Sequence, residues 1–285
     1  MFELGLLGPV RAVRAGRELP LGGPRQRAVL ALLVLDAGRV VPAGRLVEEV
    51  WRGQPPPGAA KTLRSYVSRL RSALAPEVAV VPRGGGYVLS ADPTQLDVAR
   101  FERLVAEGRA ALGGGEAAAA GNRFREALGL WRGPALAGVA EAEPLAREAS
   151  RLEELRLVAV EGRLEADLAA GSHAGVAGEL ERLVSEHPLR ERLWYLLMLA
   201  LYRGGRQADA LAAYQRARAM LAGELGLEPG PELQELERAV LRQEVPPPAP
   251  QDNRHNLPAQ LTSLWAGSRT WPWWASCWAR RGWSR

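Results

Sequence analysis

Residues 59 to 74 read Ala59-Ala60-Lys61-Thr62-Leu63-Arg64-Ser65-Tyr66-Val67-Ser68-Arg69-Leu70-Arg71-Ser72-Ala73-Leu74, and this stretch decides the reading of the N-terminal third of the chain. At about 100° per residue, Val67, Leu70 and Leu74 fall within about 40° of Leu63, which predicts a helix with one apolar stripe. Ser72, Ser65, Lys61 and Ser68 gather on the opposite side, with Arg64, Arg69 and Arg71 on the flanks. The helix carries cations and hydroxyls and no carboxylate. A merely solvated helix mixes Glu with its Arg; a face of this kind suits a major groove, where Arg forks read guanine edges and small hydroxyls allow close approach.

The neighbouring residues place this helix in a larger unit. Phe2, Leu4 and Leu6 alternate with Glu3 and Gly5, Val10 and Val13 flank Arg11, and Leu19 and Leu21 follow, which predicts three short antiparallel strands. From Pro24 the period changes: Val29, Leu30, Leu32, Leu33 and Leu35 predict a helix ended at Ala37-Gly38, and Leu46, Val47, Val50 and Trp51 predict a second, ended by Gly53 and Pro55-Pro56-Pro57. After the helix at 59 to 74, Val78 to Val81, the turn Arg83-Gly84-Gly85-Gly86 and Tyr87 to Leu89 read as a β-hairpin. Strands, three helices and a closing hairpin follow the order of a winged helix-turn-helix.

Charge divides the chain at the same place. Residues 1 to 92 carry a net +6, residues 93 to 244 a net −5 and residues 245 to 285 a net +4, within a total of +5 over 285 residues. The basic first part is the candidate for binding phosphate. Of the 37 basic residues only Lys61 is lysine, a bias that G+C-rich codons produce, so the distribution of charge carries more information than its amount.

From Asp97, expected to act as an N-cap, the pattern is all helical. Trp194, Leu197, Leu201, Gly205, Ala210, Tyr214 and Ala217 have the spacing of a tetratricopeptide helix pair. Weaker copies lie at Val160, Gly171, Val176, Leu180 and Leu183, with Pro188 at the repeat end, and at Gly115, Ala120, Phe124 and Ala127. Such repeats stack into surfaces that hold proteins, and Trp131, Trp194 and Tyr214 are expected in the core. The fold class predicted is mainly α: an N-terminal α+β winged helix-turn-helix followed by an all-α, tetratricopeptide-like repeat domain.

Three His and one Cys, Cys277, are too few for a zinc site or a disulfide framework. Gly58-Ala59-Ala60-Lys61-Thr62 lacks the Gly before Lys that a phosphate-binding loop needs, and no Gly-x-Ser-x-Gly or His-Glu-x-x-His run is present. His173 and His187 are expected at helix ends, and Glu153 and Glu154 on a solvated face. The expectation is therefore no catalytic residue, no cofactor and no metal. The start has neither a basic leader nor an apolar run of membrane length, so a cytoplasmic protein without membrane contact is expected.

Residues 2 to 92, through Leu46-Val47-Glu48-Glu49-Val50-Trp51, the helix at 62 to 71 and Arg83-Gly84-Gly85-Gly86-Tyr87, resemble an OmpR-type winged helix. Residues 97 to 244, through Glu186-His187-Pro188-Leu189-Arg190-Glu191-Arg192-Leu193-Trp194, Gly205-Arg206-Gln207-Ala208-Asp209-Ala210-Leu211 and Leu225-Gly226-Leu227-Glu228-Pro229-Gly230, resemble the bacterial transcriptional activator domain. Together they resemble the Streptomyces antibiotic regulatory protein family, the AfsR-like regulators. That resemblance implies a sequence-specific activator that binds direct repeats in double-stranded DNA upstream of secondary-metabolite genes, with two protomers on the DNA, and recruits RNA polymerase holoenzyme. It implies groove contacts from Ser65, Tyr66, Arg69 and Arg71 and wing contacts from Arg83 and Tyr87. Lys61 and Arg64 are assigned to phosphate by charge and position, and Ser68 shares the groove-facing side. The resemblance implies a winged helix of the phosphorelay output type, and with no receiver domain read ahead of it in this sequence no phospho-aspartate switch is expected. Two other readings stand beside this one: a tetratricopeptide-type interaction scaffold, and the front part of a larger signalling ATPase regulator.

The resulting domain expectation is 1 to 92 winged helix, 97 to 244 activator domain, 245 to 264 Pro-rich linker and 265 to 285 a disordered or out-of-frame tail. The tail holds six of the nine Trp, and a membrane-surface anchor or a docking segment are its alternatives. A fragment ending near residue 92 is expected to fold by itself.

Overall fold

The computed structural model describes residues 2 to 245; the Pro-rich linker beyond Val245 and the Trp-rich tail lie outside the described residues. Strands β1 (Phe2–Gly5), β2 (Arg11–Arg14) and β3 (Arg17–Glu18) form an antiparallel sheet in that order, with Phe2 opposite Arg14 and Val13 opposite Glu18. Helix α1 (Pro24–Leu35) is buried along every residue from Ala28 to Val34, so it forms the centre of the N-terminal half. Helices α2 (Ala43–Val50) and α3 (Ala59–Leu74) pack on it, and β5 (Ala79–Arg83) and β6 (Gly86–Ser90) make the closing hairpin.

A two-residue strand, β4 (Val41–Pro42), was not foreseen. It pairs with β6 through Val41 opposite Tyr87 and so gives the wing a third strand. Two residues are too few to display a period of two, which is why the pattern missed it. The wing turn itself follows from sequence: Gly84 and Gly85 both have positive φ, 53° and 77°, the left-handed pair that a two-residue hairpin turn needs.

The second half is helical throughout: α4 (Asp97–Gly113), α5 (Ala117–Leu128), α6 (Glu143–Ala169), α7 (His173–Glu186), α8 (Glu191–Arg203), α9 (Gln207–Leu225) and α10 (Pro231–Arg242). Helix pairs α4–α5, α6–α7 and α8–α9 each turn through a left-handed glycine, Gly115, Gly171 and Gly205, at φ 77–83°. These are the glycines that the three repeat copies placed between helices. Trp194 and Tyr214 are buried as expected; Trp131 is half-buried, with its ring edge-on to Phe101 at 5.3 Å between centroids. Among the described residues no helix is long and apolar enough to cross a membrane.

The cores do not divide where the charge does. One apolar cluster runs without a break from Phe2 through Leu33, Leu70 and Leu89 into Phe101, Phe124, Leu145 and Leu152, while a second begins at Leu164 and fills α7 to α10. The division of packing thus falls within α6. The segment 129–142 between α5 and α6 joins the two halves through its backbone: Arg132 N–H donates to the Leu7 carbonyl (2.9 Å), Leu136 N–H to Leu6 (2.9 Å) and Ala137 N–H to Gly8 (3.2 Å).

Asp97 differs from the expectation. Leu96, not Asp97, is the cap position of α4, and the Asp97 carboxylate turns away from its own helix. It accepts hydrogen bonds from the N–H groups of Leu6 (2.8 Å) and Leu7 (3.0 Å) and an ion pair from Arg132 (2.6 Å). Burial pushes this carboxyl above the ordinary aspartate range, and the two N–H groups and Arg132 pull it back. Glu153 also departs from a purely solvated role, since it accepts the Ala135 N–H at 2.8 Å.

Candidate nucleic-acid interface

Helix α3 is anchored on one side and free on the other. Leu63, Val67, Leu70 and Leu74 are buried, as the angular reading requires. Its C-terminal end is held by Arg14 of β2, which donates to the carbonyls of Ala73 (3.2 Å) and Ala75 (2.6 Å) and pairs with Glu77 (2.7 Å). A cation on the last carbonyls complements the negative end of the helix and fixes its tilt. This role of Arg14 has no local signal in the sequence, because strand alternation says nothing about contacts 59 residues away.

Lys61, Arg64, Ser65, Ser68, Arg69 and Arg71 are all exposed on the side away from the core. Arg83 is exposed at the base of the wing turn, and Tyr87 is half-buried on β6 opposite Val41 and Pro82. Tyr66 differs from its neighbours: it is half-buried, and its ring lies 6.2 Å from that of Trp51 with 6° between the planes. The structure therefore brings the α3 residues onto one face and sets Tyr66 at its edge.

The electrostatic state of this face separates it from the helical half of the molecule. Among the described residues only four of the 13 cations in residues 2 to 92 are ion-paired: Arg11, Arg14, Arg45 and Arg52. In residues 93 to 244 at least 16 of 19 are. Lys61, Arg64, Arg69, Arg71 and Arg83 all lack an acidic partner, and the hydroxyls of Ser65 and Ser68 make no hydrogen bond. A surface of positive charge that the protein does not neutralise itself is available to an external polyanion. The activator-like half has the opposite character; there Arg190 bridges Glu154 and the buried Glu161, and Arg216 pairs with Glu181 at 3.0 Å. Among the described residues no group of three or more His, Cys, Asp or Glu could hold a metal ion.

A three-helix core, a β-wing and a cationic second helix of the helix-turn-helix, followed by stacked helix pairs, define a winged-helix transcription regulator with a helical effector domain. Two family models match: "Transcriptional regulatory protein, C terminal" over residues 16–89 and "Bacterial transcriptional activator domain" over residues 96–241. The chain is 41% identical over 251 residues to the regulatory protein DnrI of Streptomyces peucetius, covering 85% of this chain and 92% of DnrI. It is 47% identical over 242 residues to the regulatory protein AfsR of Streptomyces coelicolor, covering 85% of this chain but only 24% of AfsR, so the matched part spans about a quarter of that relative. The solved structure of Mycobacterium tuberculosis EmbR in complex with a low-affinity phosphopeptide superposes with a TM-score of 0.81 at 38% identity, over 86% of this chain and 66% of EmbR. The chain belongs to the Streptomyces antibiotic regulatory protein family and is a transcriptional regulator.

Proposed function

We propose that this regulator is a sequence-specific activator that reads direct repeats in promoter DNA through α3 and the wing and recruits RNA polymerase through its helical half. Genes for secondary-metabolite biosynthesis are its proposed targets, since the Streptomyces regulatory proteins DnrI and AfsR each match 85% of this chain. The observation that carries the reading is the contrast in charge pairing: α3 offers unneutralised cations and free hydroxyls, while nearly every Arg of the helical half is already matched. Arg69 and Arg71, with Ser65, Ser68 and Tyr66, are the proposed base-reading set. Lys61 and Arg64 hold the flanking phosphates, and Arg83 and Tyr87 bring the wing to the neighbouring groove or backbone. Two protomers head to tail on repeats one helical turn apart would present the same helix face twice.

Arg69→Ala is expected to weaken binding to a cognate site by about 1–3 kcal/mol and to relax preference at one base position. Lys61→Ala is expected to weaken all sequences alike and to reduce the salt slope by about one. Gel shifts with cognate and random duplexes through a salt series separate the two, and cognate sites come from mapping the chromosomal positions that the protein occupies. Equal loss on cognate and random DNA for Arg69→Ala would refute its base-reading role.

A further inference from the structure

A cleft of about 1170 Å³ opens where the start of α1 meets the end of α2 and the flank of α3. Its walls include Arg25, Gln26, Trp51, Arg52, Tyr66 and Arg69, and the segment before α6 closes one side. Gln26 is the informative residue. Three polar or charged residues are buried among those described: Asp97 and Glu161 have their carboxylates fully engaged, whereas Gln26, at 5% exposure, makes no side-chain hydrogen bond within the protein. Its amide atoms are not sealed from solvent; they open onto the cleft, where a bound group can take up their free hydrogen-bonding capacity.

The other groups ask for the same kind of partner. Helix α1 starts at Pro24 with Gly23 as its cap, so no side chain satisfies its first N–H groups, and no acidic residue lies in its first turn. The positive end of a 12-residue helix therefore faces the cleft uncompensated. Arg25 has no acidic partner, and its guanidinium lies 6.0 Å from the centre of the Trp51 ring, which fixes it at the rim. Arg52 is paired with Glu141 alone, and both side chains are more than half exposed. Helix end, amide donor and two guanidiniums together fit a tetrahedral anion with several acceptor oxygens. Arg69 belongs to both the cleft and the α3 face, which makes the two surfaces continuous.

We propose that this cleft seats a phosphate of the DNA backbone, and that Glu141 from the helical half occupies Arg52 while DNA is absent. The Gln26 amide and the first N–H groups of α1 donate to the phosphate, Arg25 and Arg52 neutralise it, and Arg52 leaves Glu141 to do so. This inference rests on the DNA-binding reading and adds to it a contact outside α3 and the wing, together with a carboxylate of the effector half that competes for it.

The test uses the full chain, a labelled random-sequence duplex and fluorescence anisotropy through a salt series. Arg25→Ala and Arg52→Ala are each expected to weaken binding several-fold and to lower the slope of log affinity against log salt by about one. Glu141→Gln is expected to tighten binding by up to about fivefold, the span of an exposed ion pair. Gln26→Leu, which keeps the volume and removes the amide, is expected to weaken binding without lowering the melting temperature. Unchanged affinity and slope in both Arg variants, with the unaltered chain binding normally, would overturn the proposal. So would a melting temperature raised by inorganic pyrophosphate in the unaltered chain but not in Arg25→Ala, with DNA affinity the same in both, because the cleft would then serve a small phosphorylated ligand. Absence of binding by the unaltered chain would instead remove the DNA reading itself, and this proposal with it.

Discussion

Asp97→Ala is expected to destabilise the protein by about 3–5 kcal/mol, seen as a lowered urea midpoint and melting temperature. The substitution leaves the buried Leu6 and Leu7 N–H groups without their acceptor and takes the ion-pair partner from the half-buried Arg132, and the two orphaned N–H groups account for most of the cost. Arg132 also donates to the Pro9 carbonyl at 3.0 Å, so its displacement loosens the segment that links the two halves. The same geometry argues against a fragment ending near residue 92 folding alone. Such a fragment lacks Asp97, Arg132 and the Phe101–Leu152 part of the shared core, and it exposes Leu4, Leu6 and Leu7, each at most 1% exposed in the full chain. A fragment extended to the end of α6 retains the whole cluster and is the shorter unit expected to fold. A fragment ending at 92 that unfolds cooperatively at the midpoint of the full chain would refute this account.

The second large effect is expected at Phe124. Its ring is fully buried in α5 and lies between two glycines, Gly108 of α4 and Gly162 of α6; a Cβ at those positions would come within 2.9 Å and 2.4 Å of the ring. Phe124→Ala removes the wedge that sets the spacing of three helices and is expected to cost about 3–5 kcal/mol. Gly162→Ala acts from the other side: the ring has no room to retreat because Gly108 backs it, and overpacking of this kind costs about 1–3 kcal/mol. Chemical denaturation of both variants checks the pair, and combining them tests the explanation. If the ring is the obstacle, Gly162→Ala in the Phe124→Ala background costs almost nothing further, whereas additive losses would refute it.

Much of the architecture could be read from local patterns. The apolar stripe Leu63, Val67, Leu70 and Leu74, the glycine turns of the wing and the glycines between repeat helices are all short-range signals, and the structure reproduces them. What local pattern misses is what depends on distance along the chain. Asp97 precedes a helical run and reads as a cap, but its partners are backbone groups about 90 residues away. The pairing of Val41 with Tyr87 is likewise non-local and only two residues long. The cationic face of α3 was legible because one helix carries it. The cleft at Arg25 and Arg52 was not, since its walls come from three helices and the 129–142 segment, and no spacing in sequence announces it.

The shared core has a consequence for geometry on a promoter. With Leu70, Phe101 and Leu152 in one apolar cluster and the 129–142 segment bonded to the first sheet, α4, α5 and the first part of α6 are packed into the same core as α3, the helix proposed to read DNA. In the proposed complex, with α3 in a groove, that common core sets the azimuth of the surfaces on α4 to α6 around the duplex, like a tooth on a gear whose phase follows the shaft. An operator moved by half a helical turn relative to the transcription start would then point those surfaces at the opposite side of the DNA, whereas a full turn would restore the alignment.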